Sequence, residues 1–301
     1  MNSQYPHIHE DFLHFMDLSK EERIKALDSN FLIKYPKANE IIQAMSHIMN
    51  KPQKYRMQNL LIVGEPNMGK TTIAKKFFEM HPDKIIEDET GETLIKQIIY
   101  VNIQGPSEKE FYTSILDQFW APYKTSNSTL KLKQQAIHLL RKCQVKTIIF
   151  DEIHNILTGT ALKQRTIMDQ IKNLSNDLMI PMIALGTKSA SMVLYSDMQH
   201  VSRFDVLKLE KWELDSNFRG LLQSFEKRLP LKKPSNLASK EKAIVLYDIS
   251  QGNLGHLHRL LVDCAEYAIL NDIEEITLEI IKKFSHLKEA KALNPKAYAS
   301  N

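Results

Sequence analysis

Apolar positions along the chain fall into two regimes. Between residues 59 and 209, short apolar runs alternate with stretches of helical spacing. Asn59 to Val63, Ile98 to Ile103, Thr147 to Phe150, Pro181 to Leu185 and Val206 to Leu209 read as strands, the first a short apolar run that suits burial. A helix is predicted from Lys70, with Ile73, Ala74, Phe77 and Phe78 on one side, and further helices over about 107–119, 129–142 and 162–178. Strands alternating with helices imply a mostly parallel sheet covered on both faces. From Leu214 onward the pattern is helical only, near 215–229, 239–250, 254–270 and 277–286. The first 30 residues read as an amphipathic helical extension around Leu13, Phe15, Met16, Leu18, Ile24 and Leu27. Pro36 interrupts it, since the residue before a proline is driven out of the helical region, and a second helix follows over about 38–49. The organisation expected is therefore an N-terminal extension (1–30), an α/β domain (31–212), a small helical domain (213–287) and a frayed tail (288–301).

Composition narrows this picture only a little. Hydrophobic residues make up 43% and charged residues 25% of 301, which fits globular domains and excludes a disordered chain. The two cysteines, Cys143 and Cys264, stand far apart in helical patterns, against a disulfide framework or zinc site and in favour of a reducing cytoplasm. No apolar run reaches the roughly 18 residues of a membrane span, and the polar N-terminus gives no sign of a signal peptide. A net charge of +4 is compatible with a polyanionic partner without demanding one.

The chemistry sits between the first predicted strand and helix. Gly64-Glu65-Pro66-Asn67-Met68-Gly69-Lys70-Thr71 matches the phosphate-binding loop G-x-x-x-x-G-K-[ST] in full, with Thr72 next in the helix. Its glycines let main-chain N–H groups turn inward on phosphate oxygens, and the helix start adds its positive end. Lys70 would reach the β- and γ-phosphates of ATP and the Thr71 hydroxyl would coordinate Mg²⁺. The predicted strand Thr147–Phe150 delivers Asp151, suited to the metal, and Glu152, suited to polarising the attacking water. His154 reads as a local packing or hydrogen-bonding residue.

Together these residues resemble an AAA+ ATPase: a central parallel sheet flanked by helices, followed by a small all-helical lid. The resemblance implies that Thr187, after the fourth strand at Gly186-Thr187, senses the γ-phosphate. It also implies that Arg203, in Ser202-Arg203-Phe204, reaches a neighbouring subunit's ATP, although Ser202 replaces the usual asparagine. The lid motif Gly-x-x-Arg is altered: Gly252-Asn253-Leu254-Gly255 ends in glycine, with Arg259 one turn on.

Four segments are similar to the TniB family of transposition ATPases: Tyr35-Pro36-Lys37-Ala38-Asn39-Glu40, Asn59 to Gly64, Ile149-Phe150-Asp151-Glu152-Ile153-His154-Asn155, and Leu185-Gly186-Thr187. The likeness spans roughly residues 30 to 270. It implies an ATP- and Mg²⁺-dependent homo-oligomer, ring or filament, on duplex DNA, which recruits a DDE transposase and answers to a small target-selection protein. Tyr35 and Pro36 would meet the adenine. The polar stretch Tyr123 to Thr129 with Lys131 and Lys133 would face the DNA, with Lys124, Thr125 and Ser126 donating to phosphates without reading sequence. Two alternatives stand: a helicase loader or replication initiator, and a nucleotide-switched scaffold with negligible turnover.

Overall fold

The computed structural model describes residues 4–27, 33, 35–88, 91–194 and 202–285; the predicted tail 288–301 lies outside them. The chain divides into two compact units. One comprises residues 36–66 and 70–210. The other joins residues 1–35 to the loop residues 67–69 and to 211–301.

The first unit is built on a five-stranded parallel sheet in the order β4-β5-β6-β1-β7, from β1 (Asn59–Gly64), β4 (Ile98–Asn102), β5 (Thr147–Asp151), β6 (Met182–Gly186) and β7 (Phe204–Leu209). Every residue of β1, β5 and β6 is buried, as continuous apolar strands covered on both faces should be. Flanking helices are α2 (Pro36–Met49), α3 (Lys70–Glu79), α4 (Glu108–Asp117), α5 (Thr129–Lys142), α6 (Ala161–Leu178) and α7 (Ala190–Leu194). Pro36 does not delay α2 but opens it, where its missing N–H costs nothing. Between α3 and β4 the chain forms an antiparallel hairpin absent from the sequence expectation, β2 (Lys84–Asp88) with β3 (Gly91–Ile95).

In the second unit the expected N-terminal helix is two pieces. A 3₁₀ helix over Glu10–Asp17 ends, and Ser19 restarts the chain as α1 (Lys20–Leu27). The restart is a reciprocal cap: the Glu22 N–H donates to Ser19 Oγ at 3.3 Å, and the Ser19 N–H donates to Glu22 Oε2 at 3.0 Å. The C-terminal part is helical throughout the described residues: α8 (Ser216–Glu226), α9 (Lys240–Ser250), α10 (Leu254–Leu270) and α11 (Leu278–Lys283). The N-terminal segment belongs to this bundle. Arg23, 2% exposed, donates to Glu274 Oε1 and Oε2 at 2.9 and 2.5 Å and from Nε to the Pro230 carbonyl at 3.0 Å. Among the described residues no helix is long and apolar enough to cross a membrane.

Candidate functional site

β1 ends at Gly64 and α3 begins at Lys70, so the glycine motif forms the loop between a buried strand and a helix start. Gly69 takes φ +89°, a conformation that side chains with a Cβ rarely adopt, and Asn67 takes φ 62°. Lys70 is 8% exposed, and its Nζ donates to the carbonyls of Gly64 and Glu65, both at 2.9 Å. Burial lowers its pKa from the ordinary lysine value, while Glu152 and Asp151 pull the other way. A desolvated ammonium resting on two carbonyl dipoles, at a loop between a strand end and a helix start, suits a polyanion such as a triphosphate.

β5 lies next to β6, and β6 next to β1, which brings Asp151 to the same end of the sheet. The Thr71 hydroxyl donates to Asp151 Oδ2 at 2.7 Å. A second hydroxyl reaches that oxygen: the phenol of Tyr100, from β4, donates to Asp151 Oδ2. Burial, then the Asp151 carboxylate, pushes the Tyr100 phenol far above the ordinary tyrosine range, so it stays a donor. Tyr100 was not singled out in the sequence. The available signal was one hydroxyl in the otherwise apolar run Ile98-Ile99-Tyr100-Val101, two residues from the strand's end. One carboxylate with a neighbouring hydroxyl is the kind of oxygen set that holds Mg²⁺ together with substrate phosphates. Among the described residues no group of three or more His, Cys, Asp or Glu could hold a metal without such help.

Glu152 follows with φ 55° and ψ 37°, a left-handed backbone that a glutamate adopts only when its surroundings impose it. Three contacts impose it. The Glu152 N–H donates to Asp151 Oδ1 at 2.8 Å, the Asn155 amide donates to the Ile103 carbonyl at 2.8 Å, and the Ile103 N–H donates to the Asp151 carbonyl at 2.9 Å. The turn aims the Glu152 side chain, 43% exposed, at His154 Nδ1, 3.0 Å away. His154 thus stands beside the carboxylate, in keeping with the local packing or hydrogen-bonding role read from sequence.

Thr187 stands one residue past the Val63–Gly186 pair, with its Oγ1 2.7 Å from Ser189 Oγ. Its neighbour Lys188 pairs with Glu65 at 3.3 Å. Thr72 is exposed on α3. Arg203 stands apart from these residues. It precedes β7 at the end where Phe204 pairs with Asn59, while the phosphate loop follows the other end of β1. Six residues of strand separate the two, roughly 17 Å. Half-buried, Arg203 donates from Nη1 to Asn176 Oδ1 at 2.7 Å, and burial, then Arg56, lowers its pKa. It does not serve the phosphate loop of its own chain.

In the other unit, Tyr35 is buried with its ring edge-on to Trp212 at 5.1 Å. Its hydroxyl has no hydrogen-bond partner among the described residues, and burial pushes it up to about 12. Pro36 belongs to the first unit. The altered lid motif has a steric reason. The Gly255 N–H donates to the Asn67 carbonyl at 2.8 Å, and a Cβ at Gly255 would lie 2.7 Å from Asn67 Cβ. No side chain fits there, arginine least of all. Arg259 is 74% exposed and faces Asp263 at 3.9 Å, an ordinary surface pair.

Of the residues expected to meet DNA, Lys124, Thr125, Ser126 and Lys131 are exposed. Lys133 is not directed outward in the same way: it is half-buried and donates to Gln170 Oε1 at 3.4 Å. Ser128 caps α5 by accepting from the Lys131 N–H. Beside this loop stands Trp120, 90% exposed and missed in the sequence.

No curated protein matches the chain. Among solved structures the fold is similar to Cdc6p from Pyrobaculum aerophilum, with 15% identity and a TM-score of 0.64 over 86% of this chain and 69% of that one. It is also similar to the Aeropyrum pernix ORC1 protein, solved in complex with DNA, with 14% identity and a TM-score of 0.59 over 89% and 69%. Domain III of the Thermotoga maritima replication initiation protein DnaA gives 16% identity and a TM-score of 0.53 over 90% and 97%. The strand order, the phosphate loop and these likenesses make the fold that of an AAA+ protein. The family model of the bacterial TniB protein matches residues 23–214, more than half of the chain and all of the site around Lys70 and Asp151; the chain belongs to the TniB family.

Proposed function

We propose that this chain is an Mg²⁺-dependent ATPase that assembles on duplex DNA and recruits or activates a transposase, with hydrolysis controlling disassembly. The observation that carries the reading is the convergence of Lys70, Thr71, Asp151 and Glu152 at one end of the sheet. Lys70 and the loop amides bind the triphosphate, and Thr71 and Asp151 would hold Mg²⁺, which when bound neutralises charge developing on the transferred phosphoryl group. Glu152 orients the attacking water and accepts its proton at a carboxylate oxygen. Thr187 faces the γ-phosphate position and senses it.

Arg203 completes the site in trans. A guanidinium at the γ-phosphate stabilises transition-state charge, and its distance from its own loop makes hydrolysis depend on a neighbour. Tyr35 with Pro36 takes the adenine. Lys124, Thr125, Ser126, Lys131 and, after release from Gln170, Lys133 take the DNA backbone. This sequence-tolerant contact is supported by the DNA bound to the similar ORC1 structure. The family match favours transposition over replication initiation, since TniB proteins are transposition ATPases by the resemblance above.

The test is phosphate release with and without duplex DNA for Glu152→Gln, Arg203→Ala and their mixture. Each variant alone should fall about a hundredfold or more in rate. The mixture should regain activity, because one subunit supplies Glu152 and its neighbour Arg203. A mixture as inactive as its parts would remove the trans role of Arg203. Wild type without turnover in either condition would leave the scaffold reading.

A further inference from the structure

The hairpin of β2 and β3 is an unfinished surface. A two-stranded hairpin is marginal by itself in water and needs something to cover it. Its register sets Ile85 opposite Leu94 and Glu87 opposite Glu92, and residues two apart share a face, so these four side chains form one patch. Ile85 is 68% exposed and Leu94 36%, and both glutamates are exposed. Two like charges directly opposite each other destabilise the pair, a cost that a cationic partner would reverse.

The same unit holds the complement. At the end of the sheet away from the phosphate loop, a groove of about 510 Å³ opens between the ends of α2, α5 and α6. Its floor includes Met57, Val145 and Ile180, and its charged lining residues are Lys51, Arg141 and Lys146, with no carboxylate among them. Arg141 and Lys146 are exposed. The hairpin leaves the sheet beside this groove. The Lys96 N–H, just past β3, donates to the Cys143 carbonyl, and the Lys146 N–H donates to the Gln97 carbonyl, both at 2.8 Å.

From this pairing we infer that two copies of the chain associate through a two-fold contact, each hairpin seating its Ile85, Glu87, Glu92 and Leu94 face in the cationic groove of the other. Adjacent complementary patches on one surface are self-complementary under a two-fold axis and close as a dimer. Charge selects the occupant. Residues 286–301 of this chain, with Lys288, Lys291 and Lys296 against Glu289, suit the acidic hairpin but not the cationic groove, whereas a second copy answers both. A nucleic acid backbone would leave both the apolar floor and the acidic hairpin unmatched. This contact needs no nucleotide and lies away from the phosphate loop, so it stands or falls separately from the ATPase proposal.

Sedimentation velocity of the full chain without nucleotide at low salt tests it. Wild type should show a monomer–dimer equilibrium that weakens as salt rises. Glu87→Lys with Glu92→Lys, and separately Arg141→Glu with Lys146→Glu, should each weaken dimerisation about tenfold or more. Mixing the two double variants should restore it, because both hairpin–groove contacts then regain opposite charges. That recovery also shows that both variants fold. Wild type monomeric at all concentrations, or a dimer indifferent to both reversals, overturns the proposal. Rescue into larger open assemblies overturns its two-fold form. Loss of duplex DNA binding by the groove variant with its mass unchanged assigns the groove to nucleic acid instead.

Discussion

Asp151 Oδ2 is where the site's chemistry concentrates, receiving Thr71 and Tyr100 together. Motif spacing gave Thr71 and Asp151 directly, because the loop and the acidic strand end are recognisable without a fold. Tyr100 was invisible for a physical reason: its partner lies 51 residues away and is reached only through the β4–β5 register, in which Tyr100 pairs with Ile149. Removing its hydroxyl isolates its contribution. A hydrogen bond to a charged group contributes roughly 1.5–3 kcal/mol, so Tyr100→Phe should raise the Mg²⁺ concentration needed for tight ATP-analogue binding by about tenfold or more. Metal-free nucleotide affinity should stay unchanged. Equal loss with and without Mg²⁺ would mean that the phenol supports the fold rather than the carboxylate. Gly255 teaches the converse, since its glycine looks like a missing arginine until Asn67 is found where a side chain would stand.

Among elements, the buried strands were the most legible, because parallel strands covered on both faces are written as continuous apolar runs. The hairpin was the least legible. Lys84-Ile85-Ile86-Glu87 and Glu92-Thr93-Leu94-Ile95 alternate poorly, and their exposed faces give no burial signal. The N-terminal extension reads as one helix because its apolar spacing continues through Leu18 to Ile24 and Leu27. The Ser19–Glu22 cap breaks it, and α1 instead carries a charge inward. Arg23 and Glu274 are 2% and 5% exposed. Burial raises the Glu274 pKa, but the Arg23 guanidinium and the Lys232 N–H outweigh it and leave the group below the ordinary carboxylate value. The stability this contributes is present above the unfolded-state pKa and is lost as pH falls through the lower folded value. Arg23→Ala should destabilise the helical unit by about 3–5 kcal/mol at neutral pH, because it strands a buried carboxylate. The deficit should shrink in acid as Glu274 protonates. Denaturant melts of both proteins from pH 7 down to pH 4 measure this, and a pH-independent difference would contradict it.

For the whole molecule, the parallel sheet sets two groups of residues apart at its opposite ends. The strands' carboxyl ends gather Lys70, Thr71, Asp151, Glu152 and Thr187, while Arg203 and the cationic groove lie at the other end. This polarity leaves each chain with a nucleotide cradle and an arginine that cannot meet within it, which is the physical ground for proposing assembly. All of this depends first on the cradle binding a triphosphate. Calorimetric titration of wild type and Lys70→Ala with Mg·ATP tests that claim most directly. Wild type should bind, and Lys70→Ala should bind about ten- to a hundredfold more weakly, the share expected of a buried ammonium's charge-assisted bonds to phosphate. ATP binding of equal strength in both proteins would contradict the account.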